Sequence, residues 1–286
     1  MYAIMLTIYL CMLVKKNLPD VLNSLEHDIH LAIEWFDSNY MKLNNSKCDF
    51  LISGHKFEHL WVNVGGAKVW ESKHLKLLGV EIDNSLKFDS HVSTICNEAS
   101  KKLSALTRLV HVLPFQKMRL LMKSFFESQF SYCPWMFVNR VTNRKVNRLH
   151  EQSLRILCKD DRSSYAELLQ KDNSVTIHTR NIHKLATEMY KIKHNISPNY
   201  ISDIFPRSYS TYNLRLNSDF RKPVVNTVMW GSETLRNIGP KIWELLPLNI
   251  KESPSLKSFK IKVQLWKPEN CPCRPCRDHI PNLGFL

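Results

Sequence analysis

Glycine is scarce: 7 of the 286 residues, which excludes a collagen-like or glycine-rich chain. Acidic residues are also few for the basic ones, 26 against 40, leaving a formal net charge of +14. Long apolar runs are missing. The stretch at residues 1–14 is apolar apart from Thr7, but it is shorter than the roughly 17–25 residues a membrane span needs. No basic segment precedes it, and Lys15-Lys16 follow it without a small-residue cleavage site, so it does not read as a secretory signal. Buried β-structure fits it better. No internal repeat or low-complexity tract is visible. What is present, 44% hydrophobic and 23% charged residues, is ordinary globular usage and excludes wholesale disorder. The length suits one large domain or two small ones.

The charge is uneven. Residues 1–90 hold 9 basic and 11 acidic side chains, net −2, and residues 91–286 hold 31 and 15, net +16. A basic surface attracts polyanions by releasing their counterions. Nucleic acid is the first partner this implies, and an anionic membrane the second. The bland alternative is solubility alone.

Periodicity predicts α+β structure, mainly helical. Pro19 opens a helix with Val21, Leu22, Leu25, Ile29, Ile33 and Phe36 at three- and four-residue steps. Short β-runs follow at 50–53 and 61–64, with Gly65-Gly66 as a hairpin signal, and a further run at 75–82 contains Gly79. Helices are predicted over 91–112, 115–130, 143–157 and 178–194. Residues 206–254 read as irregular, with short strands and isolated aromatics at Tyr209, Tyr212, Phe220 and Trp230. A short helix closes at 255–266. This divides the chain into 1–90, 91–200, 201–266 and a Cys-rich tail at 267–286. Cys11, Cys48, Cys96, Cys133 and Cys158 read as reduced thiols of an intracellular protein, nuclear or cytoplasmic. His91, His111, His150, His178 and His183 read as surface or core histidines. Phe125, Phe126 and Phe130 with Tyr132 and Trp135 read as core.

Several pieces follow one another in a telling order. Glu34-Trp35-Phe36 precedes Leu43-Asn44-Asn45-Ser46-Lys47, then Leu77-Leu78-Gly79-Val80-Glu81-Ile82-Asp83. Phe130-Ser131-Tyr132-Cys133, Leu149-His150-Glu151-Gln152-Ser153-Leu154-Arg155, Met189-Tyr190-Lys191-Ile192 and Trp243-Glu244-Leu245-Leu246-Pro247 come after them. Over about residues 1–266 this succession resembles the later half of a reverse transcriptase from a non-LTR retrotransposon of the jockey or CR1 type. The resemblance implies the end of a polymerase palm, an antiparallel sheet with one packing helix, followed by a helical thumb-like region and an irregular C-terminal part. The fingers and the first palm segments would lie upstream.

In that family Tyr-Ala-Asp-Asp lies between two strands. Here Tyr2 and Ala3 match, while Ile4 and Met5 stand where the aspartates would be. Nucleotidyl transfer needs paired carboxylates holding two divalent metals. Magnesium takes hard oxygen ligands, which isoleucine and methionine lack. The resemblance therefore implies an RNA-directed DNA polymerase fragment without catalysis of its own and without a magnesium site. Lys47 matches a family lysine near the triphosphate, a general-acid candidate. Leu78 and Gly79 match a primer-grip hairpin. Lys101, Lys102, Arg108, Lys117, Arg119, Lys123, Arg144, Lys145 and Arg148 would track a phosphate backbone of RNA or DNA without reading its sequence. Cys271, Cys273, Cys276 and His279 are a possible zinc set, although four ligands within nine residues, broken by two prolines, leave little loop. An upstream polymerase fragment is a further expected partner, and no membrane is. Two other readings stand beside this one: a truncated gene model of an active reverse transcriptase, and a helical protein-interaction module.

Overall fold

The computed structural model describes residues 2–6, 11–15, 17–54, 58–134, 140–208, 219–227, 231 and 234–267, with main chain alone at 2–6, 11–15 and 140–143. The chain divides into two compact units, Met1–Ser93 and Thr94–Leu286. It is mainly helical, with small antiparallel sheets. No described helix is long and apolar enough to cross a membrane.

The first unit begins with strands β1 (Tyr2–Leu6) and β2 (Cys11–Lys15), followed by helix α1 (Leu18–Ser38) and strand β3 (Phe50–Ser53). The strands form an antiparallel sheet in the order β2-β1-β3. Pro19 sits in the first turn of α1, where its missing N–H has no intrahelical partner to lose. The predicted apolar stripe is what the helix buries. Val21, Leu25 and Ile29 pack with Phe50 and Ile52 of β3. Two hairpins follow. Strands β4 (Trp61–Val64) and β5 (Ala67–Trp70) join across Gly65-Gly66, and Val62, Val64 and Val69 enter the same core. Each fully buried residue of this kind contributes about 1.5–3 kcal/mol.

The run expected at 75–82 is two strands, not one. β6 (His74–Leu77) and β7 (Val80–Asp83) pair in antiparallel register with Leu77 opposite Val80. Leu78 (φ 47°) and Gly79 (φ 85°) form the two-residue turn between them. Both positions need the left-handed region, which matches strand twist in tight hairpins. The Asp83 carboxylate then holds the following loop. It accepts hydrogen bonds from the backbone N–H groups of Ser85 (2.9 Å), Lys87 (3.2 Å) and Phe88 (2.7 Å). Those bonds keep its carboxyl below the usual range although burial acts the other way.

Helix α2 (Asp89–Thr107) leads into the second unit, which continues with α3 (Phe115–Leu121). The single helix expected over 115–130 is broken. After α3 come a π-helical turn, Met122–Phe126, and a 3-10 turn, Glu127–Ser131. A π turn inserts one residue into the helical phase. Met118, Met122, Phe126 and Phe130 stay buried, while Phe125 is turned out. Next come α4 (Arg140–Cys158), α5 (Tyr165–Lys171), α6 (Ile177–Lys193) and α7 (Asn199–Ser202). Helix α5 has no counterpart in the periodicity. Its signal was a capping box: the Ser164 side chain accepts from the Glu167 N–H, and the Glu167 carboxylate accepts from the Ser164 N–H at 2.7 Å.

The segment expected to be irregular, 206–254, carries α8 (Leu235–Leu245) and α9 (Leu248–Lys251), followed by α10 (Leu256–Leu265). Tyr209, Tyr212 and Trp230 lie outside the described residues. The core of this region is built on α6. Ile182, Leu185, Met189 and Tyr190 meet Phe205, Phe220, Ile238, Ile242, Trp243, Ile250, Phe259 and Val263. Its aromatics are chained edge to face, stacked or tilted, Phe205–Phe220–Trp243–Phe259–Tyr190, with ring centroids 4.3–6.4 Å apart. The two polar tips are satisfied. Tyr190 Oη donates to the Ser253 carbonyl (2.7 Å), and Trp243 Nε1 donates to Asp219 Oδ2 (2.6 Å).

Candidate nucleic-acid interface

Helices α2 to α4 and the turns between them carry the cations singled out in the sequence. Lys101, Arg108, Lys117, Lys123, Arg144 and Arg148 are exposed and Lys102 is half-buried. None of the seven makes an ion pair among the described residues. Lys145 is exposed and lies near Cys96, whose thiol burial pushes up and the lysine charge pulls down. Four residues apart on α4, Arg144 and Arg148 share a helix face.

Arg119 is the exception and is a correction. Its Nε lies 2.7 Å from Oδ1 of Asp172, whose side chain is buried, and its guanidinium donates to the Asp172 carbonyl at 2.6 Å. It joins α3 to the end of α5 and is not offered to a phosphate. The aromatic stripe also needs correcting. Phe126 and Phe130 are core, but Phe125 and Tyr132 are each 54% exposed, as are large parts of Phe115 and Leu120. Lys117 and Lys123 therefore alternate with exposed apolar side chains along one segment, 115–132. Trp135 lies outside the described residues.

The other predicted positions belong to the first unit. Ile4 and Met5 lie within β1 itself, not at a turn between strands. Ile4 is paired with Leu13 and Ile52, and Met5 with Met12 and Leu51. The physical reason is that an unbroken apolar run extends as a central strand. Tyr2–Leu6 contains no carboxylate, so the residues present do not fit a magnesium pair. Lys47 ends a 3-10 turn, Asn45–Lys47, and is exposed. The Asn44 side chain holds that turn by accepting from Ser46 N (3.1 Å) and Oγ (2.7 Å). At the tip of its hairpin, Leu78 is exposed and a Cβ at Gly79 would meet nothing within 4 Å. The glycine there serves the turn's φ. Among the described residues no group of three or more His, Cys, Asp or Glu is placed to hold a metal ion. Cys271, Cys273, Cys276 and His279 lie outside the described residues.

A buried ionic cluster in the second unit has no signature in the sequence. His150 on α4 is fully buried. Its Nδ1 is 2.7 Å from Tyr165 Oη, and its Nε2 faces Glu127 Oε1 at 3.5 Å. Arg180 on α6 donates to both Glu127 oxygens, with Nη1 on Oε2 and Nη2 on Oε1 (3.3 Å). A carboxylate only accepts, so the imidazole proton belongs on Nε2 and the tyrosine donates to Nδ1. Burial raises the Glu127 pKa, but the His150 and Arg180 contacts outweigh it and hold the carboxyl at about 2. Burial pulls His150 down and pushes Tyr165 up. All three settings favour one state: neutral tyrosine, neutral imidazole and ionised carboxylate. With Arg119–Asp172, the cluster ties α3, α4, α5 and α6 together. Of the histidines singled out in the sequence only His111 is exposed.

Comparison with known protein families, with curated proteins and with solved structures finds no match to this chain.

Proposed function

We propose that the chain is a catalytically inactive relative of the non-LTR retrotransposon reverse transcriptases, whose helical part binds RNA or DNA by charge and without sequence preference. The observation that carries this reading is the set of exposed cations Lys101, Arg108, Lys117, Lys123, Arg144 and Arg148, which make no ion pair among the described residues and are interleaved at 115–132 with exposed rings. Unpaired cations beside aromatic faces suit a single strand, which offers both phosphate and unstacked bases. The antiparallel sheet packed on α1 and the helical part that follows agree in kind with a palm remnant and a thumb. Ile4 and Met5 on β1 remove the metal ligands that polymerisation requires.

The test is a titration of the full chain with fluorescein-labelled single-stranded RNA over a range of salt. About six phosphate contacts would give a log–log slope near −4, so affinity should fall about a hundredfold or more between roughly 50 and 200 mM salt. Primer extension with magnesium should yield no product. Absence of binding at low salt would leave the helical protein-interaction module as the surviving reading.

A further inference from the structure

The β4–β5 hairpin has a second face. Register places Val62, Val64 and Val69 in the core and turns Trp61, Asn63, Lys68 and Trp70 to solvent. Trp61 and Trp70 are direct cross-strand partners, 44% and 54% exposed. Residues opposed in this way have Cβ atoms about 4.5–5.5 Å apart, so the two indoles form one apolar patch. The Lys68 ammonium lies over the Trp61 ring, 4.2 Å from its centroid. Asn63 Oδ1 accepts from the Gly66 N–H at 3.0 Å, which turns the amide toward the hairpin tip. None of these four solvent-facing residues is a carboxylate. Leaving two tryptophans in water forgoes a large burial energy, and solvent-facing strand positions are normally polar.

We infer that this face is a stacking platform for a single-stranded nucleic acid, with bases on Trp61 and Trp70 and a backbone phosphate on Lys68. The chemistry selects that occupant. Indoles offer wide π faces to any base, and the adjacent cation already stabilised by one ring is placed to neutralise phosphate. The inference rests on the proposed binding of nucleic acid but assigns a separate contact, in the first unit, by stacking and not by charge alone.

Trp61→Ala/Trp70→Ala and Lys68→Ala variants of the full chain test it, beside Lys117→Gln/Lys123→Gln. The probes are labelled oligouridine and a duplex of equal length. Removing both rings should weaken oligouridine binding about thirtyfold or more, leave duplex binding unchanged, and leave the salt slope unchanged. Trp61→Phe/Trp70→Phe should restore most of the affinity. Lys68→Ala should lower the slope by about 0.7. Circular dichroism melting identical to the parent confirms that the surface changes leave the fold intact. Unchanged oligouridine affinity in the double tryptophan variant, with loss in Lys117→Gln/Lys123→Gln, would overturn the platform and spare the charge-driven reading. No binding by the parent would overturn both. If removing the rings instead abolishes self-association, the patch is a protein contact and the inference falls.

Discussion

At the residue scale the most consequential side chain is His150. Its pKa is depressed in the folded state by burial, while in the unfolded chain it titrates near 6.5. Below that value the unfolded chain takes up a proton that the folded chain refuses, so stability falls as pH drops. Glu127 acts in the same direction but lower. Its carboxyl titrates at about 2 when folded, against an ordinary value near 4.3. The stability it contributes is present above that ordinary value and is lost as pH falls toward 2. Two acid-driven losses should therefore occur in succession, the first beginning just below pH about 6.5 and the second below about 4.5. Urea midpoints measured between pH 8 and 3 check this. His150→Gln should flatten the curve between pH about 7 and 5, because glutamine does not titrate, and should cost about 1–3 kcal/mol at pH 8 from the imperfect replacement of a buried hydrogen-bonding group. An unaltered profile in that variant would mean that another group sets the first loss.

At the element scale the helices came from two kinds of signal. Where an apolar stripe repeats without interruption, as in α1 (Val21, Leu25, Ile29) and α6 (Ile182, Leu185, Met189), periodicity locates the element to within a residue or two. It fails where tertiary packing overrides local preference. Glycine and proline are the poorest helix formers, yet Gly239 and Pro240 both lie inside α8 and are buried. The reason is proximity. A Cβ on Gly239 would come within 2.8 Å of Met189 Sδ and 2.9 Å of the Phe205 ring, so α8 needs a residue without a side chain where it crosses α6. Gly239→Ala should accordingly cost about 1–3 kcal/mol, although alanine is the better helix former. A neutral or stabilising result in a denaturant titration would show that Met189 yields freely. Ser164→Ala, which removes the capping box of α5, should cost about 1 kcal/mol by the same measurement. The π turn at 122–126 was not legible at all. Its residues mix apolar and polar like any amphipathic helix, and the phase shift that expels Phe125 is settled by packing of Phe126 and Phe130.

At the scale of the whole molecule, the charge division between residues 1–90 and 91–286 was plain from the sequence, and the exposed lysines and arginines of α2 to α4 carry part of it. What the sequence cannot do is separate a cation facing solvent from one turned inward. Lys117, Arg119 and Lys123 lie within seven residues and look alike in a string of letters. Only Arg119 has a buried carboxylate partner, Asp172, and that partner is 53 positions away in the chain. The two placements lead to opposite outcomes on mutation. Lys117→Gln/Lys123→Gln should leave stability within about 0.5 kcal/mol of the parent and reduce the salt slope of single-strand binding by about 1.4, near 0.7 for each phosphate no longer neutralised. Arg119→Gln should leave that slope unchanged and cost about 3 kcal/mol, because it strands Asp172 as a buried charge without its counterion. Binding isotherms at several salt concentrations, paired with urea unfolding of each variant, distinguish the two. Should Arg119→Gln lower the slope without loss of stability, the ion pair with Asp172 would be dispensable and Arg119 would return to the phosphate-binding set.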